Sequence, residues 1–475
     1  MANHKIKFGT SGWRGVLGED FTLPKVRLVL QAISNHIKNK KLEKCPVIIG
    51  YDTRFMGEKL AKEAVKVFAA NKISSLLCHD ATPTPVISFE VIRKKCAGGI
   101  NFTASHNPYD YNGIKFSPEW GGPALPETTE WIEKEISRIK ESDVKAIDFD
   151  DAKKSGLVKI HDPYKPYARA LRSKVDVKML ASSNMHVAID TLYGTAVGYL
   201  DRFLDEIPVS YEIIHNYIEP YFGHNSPEPG KVQLKELISM VASKKKTVLG
   251  LATDGDADRY GIIDSDGTFI EPNTILALLF DYLIETRGLE GGVSRSVATT
   301  HLVDAVASYH GREVYETPVG FKYIGELIAQ DKLVIGGEES AGLTIRGHVP
   351  EKDGVLACLL VAEMVANKKK SLTTLANDLY KKVGKILTKR VNFRVSEERK
   401  ERFLSSLKTP PKNIAGKKVT DVVTIDGTKL ILEDGCWLLM RVSGTEPVIR
   451  LYVEGHSQKE LQELISAGED FINKK

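Results

Sequence analysis

The segment Thr103 to Pro108 (TASHNP), followed by Tyr109-Asp110-Tyr111-Asn112-Gly113-Ile114-Lys115, gathers two hydroxyls, a histidine, an Asn-Pro turn and a lysine. It follows a largely apolar run, Ala97 to Phe102, and its composition can hold Ser105 at a loop tip, beside proton donors, where a phosphate could reach it. A capped turn with an idle serine would read the same way, and only the rest of the chain separates the two.

A second segment, Asp254-Gly255-Asp256-Ala257-Asp258-Arg259, lies between the apolar runs Val248 to Ala252 and Tyr260 to Ile263. Three carboxylates at alternate positions in a loop direct their oxygens to one locus. Unpaired, two such charges about 4 Å apart repel by roughly 4 kcal/mol at an effective dielectric of 20, so a hard cation is expected there. An EF-hand is excluded, because Arg259 stands where that loop needs glycine and Ser265 where it needs glutamate. The expectation is a Mg²⁺ loop between strands, against a solvated acidic turn.

Gly336-Gly337-Glu338-Glu339-Ser340-Ala341-Gly342 offers paired carboxylates and a serine on a glycine-hinged loop, which suits a grip on vicinal hydroxyls of a sugar. Nearby, Thr317 to Lys322 (TPVGFK) and His348 to Gly354 (HVPEKDG) add cations and a helix start. Arg441-Val442-Ser443-Gly444-Thr445-Glu446-Pro447, with Arg450 a strand-length on, reads as an anion cradle in which two arginines and the amides around Gly444 receive a phosphate. At the start of the chain, Phe8 to Gly15 (FGTSGWRG) interleaves glycines, hydroxyls and Arg14, a pattern that lets backbone amides and a guanidinium approach an anion. No Walker A sequence is present, so a nucleotide is not the implied ligand.

Elements to present these loops are legible. Leu23 to Asn39 has helical apolar spacing through Val26, Val29, Leu30, Ile33 and Ile37. A strand, hydroxyl-bearing turn, helix, strand plan then recurs. Its copies run through Val47 to Gly50, a helix over Gly57 to Asn71 and a strand at Ser74 to Cys78; through His186 to Ile189 and a helix over Thr195 to Glu206; and through Ser296 to Ala298, a helix over Leu302 to Tyr309 and a strand at Glu313 to Tyr315. The copies predict three related α/β domains. Asp148 to Gly156 and the proline-rich Glu219 to Gly230 read as linkers. Beyond Leu372, alternating strands at Val419 to Ile425, Lys429 to Leu432, Trp437 to Val442 and Ile449 to Glu454, with a closing helix over Gln458 to Asn473, predict a smaller α+β unit on an antiparallel sheet. The expected domains are 1–150, 157–265, 266–370 and 371–475.

With 475 residues, 42% hydrophobic and 27% charged, the composition is that of an ordinary globular protein able to form several cores. Its 66 basic and 62 acidic residues nearly balance, which argues against a dedicated nucleic-acid binder. Five scattered cysteines without a CxxC pair suggest reduced thiols and a cytoplasmic protein. The apolar stretch Val355 to Ala366 is too short to span a bilayer and carries Glu363, so no membrane partner is expected. From residues alone the inference reaches metal-assisted phosphoryl transfer on a phosphorylated polyol, with one loop from each domain meeting at a shared centre.

The sequence also resembles the α-D-phosphohexomutases, the family that includes phosphoglucomutase and phosphomannomutase. TASHNP is similar to that family's phosphoserine loop, DGDADR to its metal loop, GEESAG to its sugar loop, RVSGTEP with Arg450 to its phosphate loop, and FGTSGWRG to its opening segment. The resemblance covers essentially the whole chain in family order. It implies three α/β domains with mixed sheets and a C-terminal TATA-binding-protein-like domain around a central cleft. Ser105 would carry the phosphate and share Mg²⁺ with Asp254, Asp256 and Asp258. The phosphate would pass to a hexose phosphate, giving a bound glucose 1,6-bisphosphate that reorients and returns its other phosphate.

By the same resemblance, Lys115 is the first candidate for general base, with Arg14 and His106 as the other catalytic candidates. Arg259, Lys322, Glu338, Ser340, His348 and Lys352 would hold the sugar, and Arg441, Ser443, Gly444, Thr445 and Arg450 the phosphate that is not reacting. The double glutamate of GEESAG, with Lys322 and Lys352, is similar to glucose-preferring members. Glucose 1-phosphate and glucose 6-phosphate are therefore the expected substrates, with mannose phosphates or dual specificity as the alternative and phosphopentomutase behind them. A non-catalytic sugar-phosphate sensor and a phosphatase are the readings from other classes. Partners are expected to be small hexose phosphates, the protein being a monomer or homodimer.

Overall fold

The computed structural model describes residues 6–244, 246–442 and 448–473. Leu23–Asn39 forms the expected helix, with Pro24 in its first turn and Val26, Val29, Leu30, Ile33 and Ile37 buried on one face.

Three sheets repeat one topology. In the first, Val47–Tyr51 lies between the parallel strands Ser75–Cys78 and Gly98–Phe102, and the latter turns back as the antiparallel strand Tyr111–Pro118. The second repeats this with His186–Asp190 between Ser210–Ile214 and Thr247–Thr253, which turns back as Tyr260–Asp264. The third does so with Gly292–Ser296 between Val314–Thr317 and Leu333–Glu338, which turns back as Gly342–Ile345. Mixed sheets result, and each reversing hairpin carries a chemically interesting loop: 103–110, 254–259 and 339–341. All three loops leave the carboxyl ends of parallel strands, the edge at which open α/β sheets bind ligands.

The fourth sheet is antiparallel throughout, in the order Leu387–Arg394, Val448–Gly455, Trp437–Val442, Thr428–Leu432, Lys417–Val423, Asn413–Ile414. Alternation divides its faces. Leu438, Met440, Leu451 and Val453 pack with Phe403 and with Leu461, Leu464 and Ile472 of the helix Gln458–Asn473. Trp437, Leu439 and Tyr452 face Val297 and Ala298 of the third sheet's unit.

The helix Gly354–Lys368 is apolar around its whole circumference because it lies inside the core shared by the second and third units. Its one buried charge, Glu363, is satisfied by Arg287, the Tyr282 hydroxyl and the Asp176 N–H. No helix among the described residues is long and apolar enough to cross a membrane.

Several expectations are corrected. The third unit's first strand is Gly292–Ser296 rather than Ser296 to Ala298. Gly292 begins it by packing so close to the Glu313 carbonyl that a side chain would not fit. The helix expected from Thr195 begins only at Leu200, since the Thr195 N–H bonds to the Gly255 carbonyl and the turn before the helix props the Asp254 loop. Asp148 to Gly156 is no linker: Asp148 caps a short helix, Phe149–Lys154, which buries Ala152. The strand Val158–His161 then adds in parallel to Ser75–Cys78 of the first sheet. Glu219 to Gly230 is a loop packed on the serine and aspartate loops, described below. Leu372–Val383, expected to open the fourth unit, buries Leu372, Leu375 and Leu379 in the shared core of the second and third. We propose domain boundaries after His161, after Ile270 and after Val383.

Candidate functional site

Ser105 is buried on the first hairpin loop with a left-handed backbone (φ 53°), its N–H bonded to Thr103 Oγ1 at 2.8 Å. Its Oγ donates to Asp254 Oδ2 at 2.7 Å and lies 3.2 Å from His106 Nδ1. The first and second hairpins thus meet at the serine. A side chain at Gly255 would strike the Ser105 carbonyl, so the glycine of DGDADR permits that approach.

Oxygens of Asp254, Asp256 and Asp258 lie within 4.8 Å of one another, and all three residues are fully buried. Asp254 Oδ1 accepts the N–H groups of Asp258 and Arg259 at 2.9 and 3.0 Å, which curls the loop around the site. Asp256 Oδ1 and Asp258 Oδ1 have no hydrogen-bond partner although both are buried. Orphaned carboxylate oxygens beside a serine oxygen are the donor set of a hard divalent cation, so the residues fit such an ion. Burial, then repulsion from Asp258 and Asp256, pushes the Asp254 carboxyl well above the usual range.

Lys115, on the strand after the serine loop, reaches the other oxygens, Asp256 Oδ2 at 2.5 Å and Asp258 Oδ2 at 2.7 Å. Burial opposes its charge, but the two aspartates outweigh burial and its pKa is raised. Lys352 reaches Asp258 at 2.9 Å after its stem crosses Gly342 of the third hairpin. Arg14 pairs in register with Gly113 and donates to Asn107 Oδ1 at 2.6 Å. Burial lowers its pKa. Burial, followed by the cations Arg259 and Arg14, holds His106 well below the usual imidazole range.

The third hairpin is stitched to the second by the Tyr260 N–H to Ala341 carbonyl bond, and the Gly354 N–H reaches the Ala257 carbonyl. Glu338 accepts the Gly320 N–H at 2.8 Å, and burial raises its pKa. Glu339 pairs with Arg390 of the fourth sheet at 3.4 Å. Arg259 lies 3.7 Å from Glu228, and its Nε is buried without a partner. Lys322 is on the first turn of the helix Phe321–Ala329, beside Tyr323. His348 bonds Asp353 at 2.7 Å, and Asp353 also accepts the Tyr167 hydroxyl and caps the helix after it. The structure thereby commits His348 Nε2 to holding Asp353 beneath the Lys352 turn.

Arg441 and Arg450 are register partners on adjacent strands. Asp426 lies 2.9 Å from Arg441. Their positions place two basic residues side by side across the strand pair, with Asp426 offsetting part of that charge. Ser443, Gly444 and Thr445 lie outside the described residues.

Sequence reasoning missed Arg54, Thr84 and the segment from Phe222 to Glu228. Arg54 was visible only as the end of a turn, yet its guanidinium holds three carbonyls of the serine loop and that of Tyr111 just after it. Thr84 bonds Asp256 Oδ2 and receives Asn101 Nδ2 at 2.9 Å. The Ser226 hydroxyl bonds the His106 carbonyl. No local pattern signals these contacts, because each partner is distant in the chain.

A serine, an aspartate triad and two lysines, brought together by three separate units, are the groups of an isomerase-class enzyme that relocates a phosphoryl group. Four models of the phosphoglucomutase/phosphomannomutase family match: alpha/beta/alpha domain I over residues 5–143, domain II over 165–267, domain III over 271–383, and the C-terminal domain over 391–467. The chain belongs to that family. It is 31% identical to a phosphoglucomutase of Komagataeibacter xylinus, over 98% of this chain and 92% of that one. It is also 31% identical to a phosphoglucomutase/phosphomannomutase of Thermococcus kodakarensis, over 97% of each. A solved Thermus thermophilus structure described as a phosphomannomutase superposes with a TM-score of 0.85 at 30% identity, over 99% of each chain.

Proposed function

We propose that the protein interconverts glucose 1-phosphate and glucose 6-phosphate through a phosphate carried on Ser105 and a bound glucose 1,6-bisphosphate. The observation that carries this is the Ser105 Oγ at 2.7 Å from one of three buried aspartates whose oxygens lie within 4.8 Å of one another, two of them bearing an oxygen without a partner. Mg²⁺, held by Asp254, Asp256, Asp258 and an oxygen on Ser105, would supply the charge that neutralises the phosphoryl oxygens and would compete with Lys115 for the carboxylates.

In the forward half-reaction the sugar hydroxyl forms a bond to phosphorus as the bond to Ser105 Oγ breaks, and the hydroxyl proton passes to Lys115, which can accept it only as the neutral amine, with its pairing to Asp256 and Asp258 released. After the bisphosphate reorients, Ser105 attacks the other phosphate and Lys115 returns the proton. Arg14 and His106 contact the serine loop and steady it. Arg259, Lys352, Glu338, Ser340 and Lys322 would hold the sugar, while His348, buried against Asp353, would act only through the Lys352 turn. Arg441 and Arg450, with Ser443, Gly444 and Thr445, seat the idle phosphate, so that either end of the sugar can be presented.

Glucose is favoured by the doubled glutamate Glu338-Glu339. Mannose phosphates are the second reading, supported by the Thermococcus relative that carries both activity names. Five free cysteines fit a reducing cytoplasm.

The test supplies Mg²⁺, a trace of glucose 1,6-bisphosphate, and the 1-phosphate of glucose, mannose or glucosamine, and follows the 6-phosphate while mass spectrometry reads Ser105. Turnover of glucose 1-phosphate with Ser105 phosphorylated is expected. No isomer from any sugar with Ser105 unmodified defeats the reading, and release of free phosphate without isomer makes the protein a phosphatase.

A further inference from the structure

We infer that Arg54 is a positioning residue for the reaction, the group that holds the Ser105 loop in the backbone conformation needed to carry phosphate; the inference rests on the phosphoserine reading above. Arg54 follows the strand Val47–Tyr51 of the first sheet, on the turn Asp52-Thr53-Arg54, and is 2% exposed. Asp52 anchors it, accepting its Nε at 3.1 Å and its backbone N–H at 3.0 Å, while the Asp52 N–H bonds the Phe102 carbonyl at the loop's base.

The guanidinium then reaches the loop itself. One terminal nitrogen donates to the Ser105 and Asn107 carbonyls, each at 2.6 Å. The other donates to the Pro108 carbonyl at 2.6 Å and to that of Tyr111 at 3.2 Å. Phe222, from the second domain, covers the guanidinium face at 4.9 Å. A planar fork of five donors fits this ring of carbonyls; a lysine, with a point charge and three donors, does not.

The consequence for chemistry comes from peptide planarity. In a trans peptide the carbonyl and the following N–H point opposite ways. Turning the Ser105 and Pro108 carbonyls toward Arg54 therefore turns the His106 and Tyr109 N–H groups toward the other side of the loop. Among the described residues neither N–H meets an acceptor. Both are thus free to donate to an anion on that side. Ser105 itself sits at φ 53°, a region costly for a residue with a side chain, and the converging bonds to Arg54 hold it there.

The test compares the native protein with Arg54→Ala and Arg54→Lys. Amide hydrogen exchange across 103–111 should accelerate by about tenfold in both, with the rest of the chain unchanged. Turnover of glucose 1-phosphate should fall by about 100-fold, with KM within about threefold, and added guanidinium should recover part of it in Arg54→Ala alone. Unchanged loop exchange, exchange raised throughout the chain, or kcat within about threefold of native overturns the inference. Should neither variant fold, Asp52→Asn keeps the guanidinium and loosens only its anchor, and unchanged exchange across 103–111 there also overturns it. The exchange arm decides the matter even if the native protein turns over no hexose phosphate, an outcome that would refute the proposed function instead.

Discussion

At the residue scale the site depends on charges placed where water cannot screen them. Asp254, Asp256 and Asp258 are fully buried, and Lys115 and Lys352 offset only part of their charge. An ion binding there stabilises the folded protein alone, by about 2.7 kcal/mol at a hundredfold excess over its Kd. Mg²⁺ should therefore raise the melting temperature of the native protein, and Asp256→Asn should abolish that rise in a calorimetric scan. Lys115→Met should lower kcat by roughly 100-fold or more, the range for loss of a general base, while Ser105 remains phosphorylatable. Normal turnover in that variant, with Ser105 phosphorylated, would remove Lys115 from the proton path. Gly342→Ala makes a steric demand of another kind, since its Cβ would overlap the Lys352 stem. Overpacking of this type costs about 1–3 kcal/mol, and displacement of the ammonium from Asp258 should appear as a raised KM for the sugar phosphate.

At the scale of elements, the fourth sheet docks on the third unit through a buried polar network. Lys429 is fully buried over the Trp437 ring, with Nζ 2.7 Å from His301 Nε2 and 3.2 Å from both the Val297 carbonyl and Glu316. Arg295 bridges Glu316 and Asp304, and Glu454 accepts from Trp437, Thr300 and the His301 N–H. Burial, then Arg295, holds the Lys429 pKa down to about 8. Between about 8 and the ordinary 10.5 the unfolded chain binds more protons than the folded one, so this residue's contribution rises with pH across that window and is lost as pH falls through 8. Melting of the native protein relative to Lys429→Met should improve from pH 8 to 10, by up to roughly 3 kcal/mol. A flat difference would show that Lys429 does not titrate in the interface.

The same scale shows which elements were legible. Leu23–Asn39, Leu302–Tyr309, Trp437–Val442 and Gln458–Asn473 match their expected limits, because apolar period and end signals coincide there. Phe149–Lys154 was hidden by its acidic, lysine-rich letters, and its burial of Ala152 depends on a neighbour far along the chain.

For the whole molecule, the Glu339–Arg390 pair links the loop that carries Glu338 and Ser340 to the fourth sheet. It is partly exposed, and pairs of that kind contribute about 0.2–1 kcal/mol. Charge reversal at either residue should lower kcat/KM by no more than about fivefold, and the double exchange Glu339→Arg with Arg390→Glu should restore it. Failure of the double exchange to recover would mean that the two act independently.

By itself the sequence determined the chemistry available and its order: a serine loop, an aspartate loop, a carboxylate loop and an arginine loop on three similar α/β units and one antiparallel unit. Those features are local, being matters of residue type, short spacing and apolar period. Tertiary structure alone decided that the three loops occupy the same reversing hairpin of three like sheets, and that Lys115 meets Asp256 and Asp258 from 141 and 143 residues away. It alone converted a proline-rich stretch into a brace on the serine loop and a turn arginine into its anchor. Such convergence follows from sheet order, hairpin placement and domain packing, which depend on contacts between distant segments and leave no periodic trace in either one.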